Sequence, residues 1–475
     1  MIELVTRIYQ DKIIGDISDA IRRKKRRILT VSPCGSGKTV VFSRIAQGAK
    51  NKNKSVAVVA HRKELITQCS DKLNRFGVPH GIVKAGFAPN YLEPIQVASI
   101  QTLHRRVGVI NPDVFIYDEA HHSQARQAQD VINRHPKALL LGFTASPIFG
   151  NGKTLGKYYD ELVIGPTVRW LVDEGYLVST RVFAPPPVDL SGVDYDNITA
   201  LEAAMNKRKI TGDAIAHYSR IAGGLQAICY VTTVKHGQAV AEQFREAGYG
   251  FYAIDGGMGD EERDYLLGRF GCRDIQGLVS CDIISEGTDV PSAQVAIKLR
   301  PTKSLGLTIQ QDGRINRPFY ADGMPLDTRE QRLAAIAASQ KPFAYIIDHV
   351  NNSYFHGLPD DEYEWSLTAA PVLKPRPAAF QISRCEVCFQ FYRGAACDCG
   401  APRVTKERKI FYTHGQLEEI KKSDALERKR REEEEKKRLS REVNQARTLA
   451  QLQEIGRQRG YDKMWAVVKF KSRRH

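Results

Sequence analysis

The segment that most constrains this chain is ILTVSPCGSGKT, residues 28–39. A short apolar run enters a Gly-Ser-Gly turn, followed by Lys38, Thr39 and the helix-compatible VVFSRIAQGAK. Strand, glycine-rich loop and helix in that order make a phosphate cradle. The glycines let backbone N–H groups curl around an anion, and the new helix points the positive end of its dipole at the same place. Pro33, Cys34, Gly35, Ser36 and Gly37 are expected to line the cradle. Lys38 is expected to reach the β- and γ-phosphates, and the Thr39 hydroxyl to ligate Mg²⁺. The strict G-x-x-x-x-G-K-[ST] pattern has glycine where this chain has Ser32, but Gly35, Gly37, Lys38 and Thr39 are all present.

A chain of 475 residues is long enough for two or three domains with cores of their own. Its formal charge of +16 favours a polyanionic partner. The longest apolar runs are too short for a membrane-spanning helix. MIELVTRIYQ lacks the basic-then-apolar order of a secretory signal. Nine cysteines without such a signal are expected to be thiols or metal ligands in a reducing, cytoplasmic setting.

Around the phosphate loop, the first half repeats one pattern: a short buried strand, then polar groups at its carboxyl end. Ahead of the loop, Arg7 and Gln10 precede the first helix candidate, and the Gln10 amide offers the donor and acceptor that an adenine edge needs. After it, residues 55–60 (SVAVVA) run into His61 and Arg62, and residues 96–102 (QVASIQT) end in Gln101 and Thr102. Ligands collect at the carboxyl ends of strands in open α/β sheets, so these groups mark a surface for something other than ATP. About 80 residues after the loop, VFIYDEAH ends in Asp118 and Glu119. Asp118 suits Mg²⁺ and Glu119 suits the attacking water. His121 either senses the γ-phosphate or caps a loop. Residues 138–143 lead to Thr144 and Ser146, whose hydroxyls are placed to couple the site to the next half.

The second half has strand-helix units at residues 227–231, 277–280 and 295–299 but no phosphate loop of its own. LTIQQDGRINR, residues 307–317, reads as a helical turn with Arg314 and Arg317 on one face. Those guanidiniums make most sense acting on the first half's ATP, with Gln310 positioning water or nucleotide.

The ordered set PCGSGKT, AHRKEL, ASIQTL, DEAHH, FTASP, EGTDVP and QQDGRINR resembles superfamily 2 helicases of DEAD/DEAH type, over about residues 1–355. RPTKS, YIIDHVNN and the later cysteines are similar to the RadD-like bacterial and phage DNA helicases. The resemblance implies two RecA-like parallel-sheet domains, at 1–166 and 167–355, that hydrolyse ATP and move along nucleic acid. It implies nucleotide contacts from Arg7, Gln10, Gly287 and Asp289. It also implies backbone contacts to nucleic acid from His61, Arg62, Gln101, Thr102, Thr232 and Thr288. The chain departs from the pattern at Cys34, where relatives often carry Thr, and at Asp312, where an apolar residue is usual.

Beyond the motor, the Pro-rich residues 369–377 mark a linker, placed at 356–384. Cys385-x-x-Cys388 and Cys397-x-Cys399 then suit a small zinc-ribbon-like module over 385–405, with His414 an alternative to Cys399. Residues 406–475 read as a charged helical arm. Between 401 and 475, 22 Lys and Arg stand against 12 Asp and Glu, a net of +10. That arm suits added DNA affinity, or docking to a replication or repair protein.

The sequence therefore points to an α/β motor using ATP, Mg²⁺ and Zn²⁺. Its expected partner is DNA, single-stranded or branched and read without sequence preference, in repair, recombination or replication. A duplex translocase, an RNA helicase and a zinc-module adaptor are the rival readings.

Overall fold

The structure, a computed structural model, describes residues 5–61, 63–148, 154–184, 208–281, 293–374, 382–393, 396–401, 446 and 448–458. Arg62, Gly287, Thr288, Asp289 and His414 lie outside these residues. The chain forms two compact units, Met1–Val404 and Thr405–His475.

In the first unit, seven parallel strands make one sheet: β1 Arg27–Val31, β2 Val56–Ala60, β3 Gly81–Val83, β4 Ile95–Ser99, β5 Val114–Asp118, β6 Leu139–Thr144 and β7 Glu161–Ile164. Their order is β3-β4-β2-β5-β6-β1-β7. Period-two alternation fills both faces, because successive side chains of a strand point to opposite sides. Val56, Val58, Val114 and Ile116 join the core on one face, and Ala57, Val59, Phe115 and Tyr117 join the core on the other.

A second parallel sheet follows, built from β8 Thr180–Phe183, β9 Ala227–Tyr230, β10 Phe251–Ile254, β11 Gly277–Ser280, β12 Val295–Lys298 and β13 Ala344–Asp348. Its order is β10-β11-β9-β12-β13-β8. Two RecA-like parallel sheets thus stand in tandem. Lys298, at the end of β12, is fully buried, and its ammonium lies 2.5 Å from Asp312 Oδ1. The acid that replaces the usual apolar residue is therefore paired inside the second lobe. Burial holds its carboxyl above the ordinary range against the pull of Lys298.

Gln101 and Thr102 lie just past the carboxyl end of β4, on the short helix Ile100–Arg105. Two local expectations change. The helix Leu305–Gly313 stops before the paired arginines: Arg314 is its C-cap and Arg317 lies beyond. Arg317 precedes Pro318, and the proline ring disfavours helical backbone at the preceding residue. The stretch read as a linker carries a hairpin, β14 Tyr363–Glu364 with β15 Val372–Leu373. Nearby, Leu367 packs against Gly156 and the core of the first sheet.

A further hairpin, β16 Ile382–Arg384 with β17 Phe391–Arg393, carries the cysteines. It lies along β8, where Ala184 N–H donates to the Phe389 carbonyl and Phe183 bridges Gln390. Arg393 forks onto Asp360 at 2.7 and 2.8 Å. In the second unit the described residues hold the helix Leu449–Gln458, with Leu452 buried beside Ala446. No described helix is long and apolar enough to cross a membrane.

Candidate nucleotide site

The loop between β1 and the helix Lys38–Lys50 turns through Gly35 and Gly37, both at positive φ, the conformation glycine adopts without a β-carbon clash. Ser32, the departure from the strict pattern, is buried and hydrogen-bonds Ser36 Oγ at 2.7 Å. Gly165 makes room for it: a β-carbon there would lie 2.9 Å from Ser32 Oγ. The serine therefore braces the loop from behind. Lys38 folds back on the carbonyls of Ser32 and Pro33 at 3.2 and 3.3 Å. Thr39 occupies the first turn of the same helix.

Gln10 does not stand clear of the loop. Its amide nitrogen donates to the Ser36 carbonyl at 3.3 Å, while its oxygen accepts from Arg7 N–H at 2.9 Å. No motif points to Tyr9, whose hydroxyl donates to the same Ser36 carbonyl at 2.7 Å. Arg7 lies over the Tyr176 ring, 4.4 Å from its centre.

At the end of β5, Asp118 is half-buried and its carboxyl is pushed up to about 6 by burial and then by Glu119 beside it, against the pull of Lys38. Glu119 is buried in a left-handed conformation, with φ 51°, which is costly for a residue with a β-carbon. His121 Nδ1 lies 3.5 Å from Glu119 Oε2 and 3.3 Å from Thr144 Oγ1. The Thr144 hydroxyl donates to the Ser146 carbonyl at 2.8 Å. Lys72 is a further group that no motif marks. It lies within electrostatic reach of Arg317, Asp118 and Lys38, and burial followed by Arg317 lowers its pKa.

The second lobe closes directly on these groups. Gln310 Nε2 is 3.3 Å from His121 Nε2. Gly313 faces Cys34 so closely that a β-carbon there would stand 3.0 Å from Cys34 Sγ. A β-carbon on Gly35 would meet Arg317 Cγ at 3.5 Å, and one on Gly306 would meet Ser146 Oγ at 3.1 Å. Arg314 is buried one residue past Gly313. Burial lowers the Arg317 pKa. Phosphate loop, paired acids and arginines from two lobes thus converge on one crevice.

The nucleic-acid candidates fall at other strand ends, His61 after β2, Gln101 and Thr102 after β4, and Thr232 after β9 of the second sheet. Gln101 Nε2 donates to the His61 carbonyl at 2.9 Å, and the His61 ring lies 4.0 Å from that of His122. Thr102 is buried. The Thr232 hydroxyl is taken up by His236 Nδ1 at 2.9 Å, so only its strand-end position agrees with a role in contact.

In the cysteine hairpin, the sulfurs of Cys385, Cys388, Cys397 and Cys399 all lie within 4.8 Å of one another. Cys385 and Cys399 are 3.6 Å apart, and Cys388 and Cys397 are 3.5 Å apart. A tetrahedral zinc thiolate site has an edge of about 3.8 Å. Four thiols at this spacing fit such an ion.

Residues 3–149 match the family model "Type III restriction enzyme, res subunit", and residues 207–318 match "Helicase conserved C-terminal domain". The chain is 34% identical over 340 residues to a 51.5 kDa protein of a Lactococcus phage, covering 70% of this chain and 68% of that protein. It is 26% identical over 337 residues to the putative ATP-dependent helicase IRC3 of Saccharomyces cerevisiae, covering 65% of this chain and about half, 49%, of the yeast protein. Among solved structures, a fragment of a putative HsdR subunit of a type I restriction enzyme from Vibrio vulnificus shares the fold. Its TM-score is 0.58 at 19% identity, over 74% of this chain and 66% of that one. The type ISP restriction-modification enzyme LlaBIII bound to DNA gives 0.50 at 18% identity, over 72% of this chain and 27% of that one. With both lobes matched in order and the phosphate loop, paired acids and arginines in one crevice, the chain belongs to the superfamily 2 helicases.

Proposed function

We propose that the chain is an ATP-hydrolysing motor that moves along DNA, single-stranded or branched, without sequence preference. The observation that carries this reading is the meeting of Gly313 and Arg317 with Cys34 and Gly35 across the crevice. Lys38 would hold the β- and γ-phosphates, and Thr39 and Asp118 would hold Mg²⁺, which when bound neutralises phosphate charge. Glu119 orients and deprotonates the attacking water. Gln310 and His121 stand beside that water, and Arg314 and Arg317 stabilise the charge that spreads over the leaving phosphoryl group. Binding ATP between lobes favours closure and losing the products favours opening, so a strand gripped on both lobes advances in steps.

DNA is favoured as the track by the formal charge of +16, and it is the polymer bound in the LlaBIII structure. His61, Arg62, Gln101, Thr102, Thr232 and Thr288 would grip its phosphates, with the basic residues 406–475 adding affinity. Cys385, Cys388, Cys397 and Cys399 would hold a structural zinc ion. The setting we favour is repair, recombination or replication. The deciding experiment is ATP turnover measured with single-stranded DNA, duplex DNA and RNA in turn, followed by strand displacement on a forked duplex. Turnover stimulated by single-stranded DNA with displacement supports the reading. Stimulation by RNA alone, by duplex without displacement, or by neither polymer overturns it in favour of the corresponding rival.

A further inference from the structure

The polar groups on the first sheet follow the spatial order of its strands, not their order in the chain. Across β4, β2, β5 and β6 the carboxyl ends present Gln101, His61, the His121-His122 pair and Thr144. They touch in that order. Gln101 donates to the His61 carbonyl. The His61 ring lies 4.0 Å from the His122 ring, tilted by 48°, and His122 lies 4.2 Å from His121, tilted by 44°. His121 in turn stands 3.5 Å from Glu119 Oε2, 3.3 Å from Thr144 and 3.3 Å from Gln310 of the second lobe. Parallel pairing of β2 with β5 makes this row possible, because it brings residue 61 and residues 118–122 to one edge.

From this row we propose that His122 is a positioning residue that transmits occupancy of the nucleic-acid grip at His61 and Gln101 to the water-activating Glu119. The proposal rests on the motor reading above. Rings in van der Waals contact pass on displacement, because a close-packed interior does not absorb it. A phosphate bound at His61 and Gln101 shifts the His61 ring, His122 follows, and His121 resets beside the strained Glu119. His122 is half-buried between two other rings, and His121 is the histidine that stands beside the Glu119 carboxylate. The effect of His122 on hydrolysis therefore passes through His121.

The test uses the full chain, ATP and an oligo-dT single strand. For His122→Ala, basal turnover is expected within about twofold of wild type and DNA affinity at fixed salt within about threefold, while stimulation by DNA falls about tenfold, a typical coupling strength. His122→Phe, which keeps a ring in the stack, is expected to retain most of the stimulation. His122→Ser, which also opens the gap between the His61 and His121 rings, repeats the test should the alanine variant fold poorly, and is expected to lose it. Stimulation as large in His122→Ala or His122→Ser as in wild type overturns the relay alone. Equal loss of basal and stimulated turnover also overturns it, in favour of a merely structural role. A wild-type chain that no polynucleotide stimulates overturns the motor reading and the relay together.

Discussion

Gly313, the last residue of its helix, faces Cys34 of the phosphate loop with no space for a side chain between them, since an added β-carbon would lie 3.0 Å from the Cys34 sulfur. The two lobes thus meet backbone against loop at this point of the crevice. Gly313→Ala should hold the lobes apart by roughly a methyl group and misplace Arg314 and Arg317. ATP turnover is expected to fall about a hundredfold, the cost of an ångström-scale misplacement, with unfolding temperature nearly unchanged. Steady-state kinetics beside a thermal melt check this.

Lys38→Ala removes the cation from the phosphate loop while leaving the second lobe and the proposed strand-end contacts to DNA in place. Hydrolysis is expected to drop by a factor of about 10² or more. DNA binding in filter or anisotropy assays should keep both its strength and its salt dependence. Hydrolysis that survived would remove the site assignment.

His236 and His349 are buried, and burial pushes each imidazole down to about 4. A histidine whose pKa is depressed in the folded chain supports stability above its unfolded value near 6.5, and that support is lost as pH falls toward 4. Each contributes up to about 3 kcal/mol. Chemical denaturation midpoints should therefore drop between pH 6.5 and 4, and His236→Gln should flatten that slope.

Much of this is legible in the sequence, and the reason is local. Parallel strands buried on both faces read as continuous apolar runs, so VAVVA and VFIY stand out, and the groups at their carboxyl ends follow by rule. What escapes depends on partners distant in the chain. Nothing near Ser32 announces Gly165, and nothing near Asp312 announces the buried Lys298. The adjacent His121 and His122 give no sign that His61 completes their row, because that requires knowing that β2 lies beside β5. Spacing alone puts the arginine pair on a helix, whereas Pro318 keeps Arg317 off it.

Removing residues 401–475 takes away a net charge of +10. Binding to single-stranded DNA should weaken, and the slope of log affinity against log salt should flatten by about 0.7 for each phosphate that the arm neutralises. Fluorescence titration from low to moderate salt reads this directly, and an unchanged slope would discard the DNA role of the arm.

Purified chain is expected to carry about one zinc per molecule by elemental analysis, as a closed four-thiolate site implies. Cys385→Ser or Cys397→Ser should lower that content markedly, while basal hydrolysis changes less than metal content.

The cysteine hairpin also covers the outer border of the second sheet, where β8 would otherwise present unpaired backbone groups. An uncovered strand of this kind is a template onto which another molecule can add. If the four thiols hold zinc as proposed, its removal should therefore show first as self-association, visible in light scattering before any loss of turnover. On that reading the small module would guard the solubility of the sheet behind it.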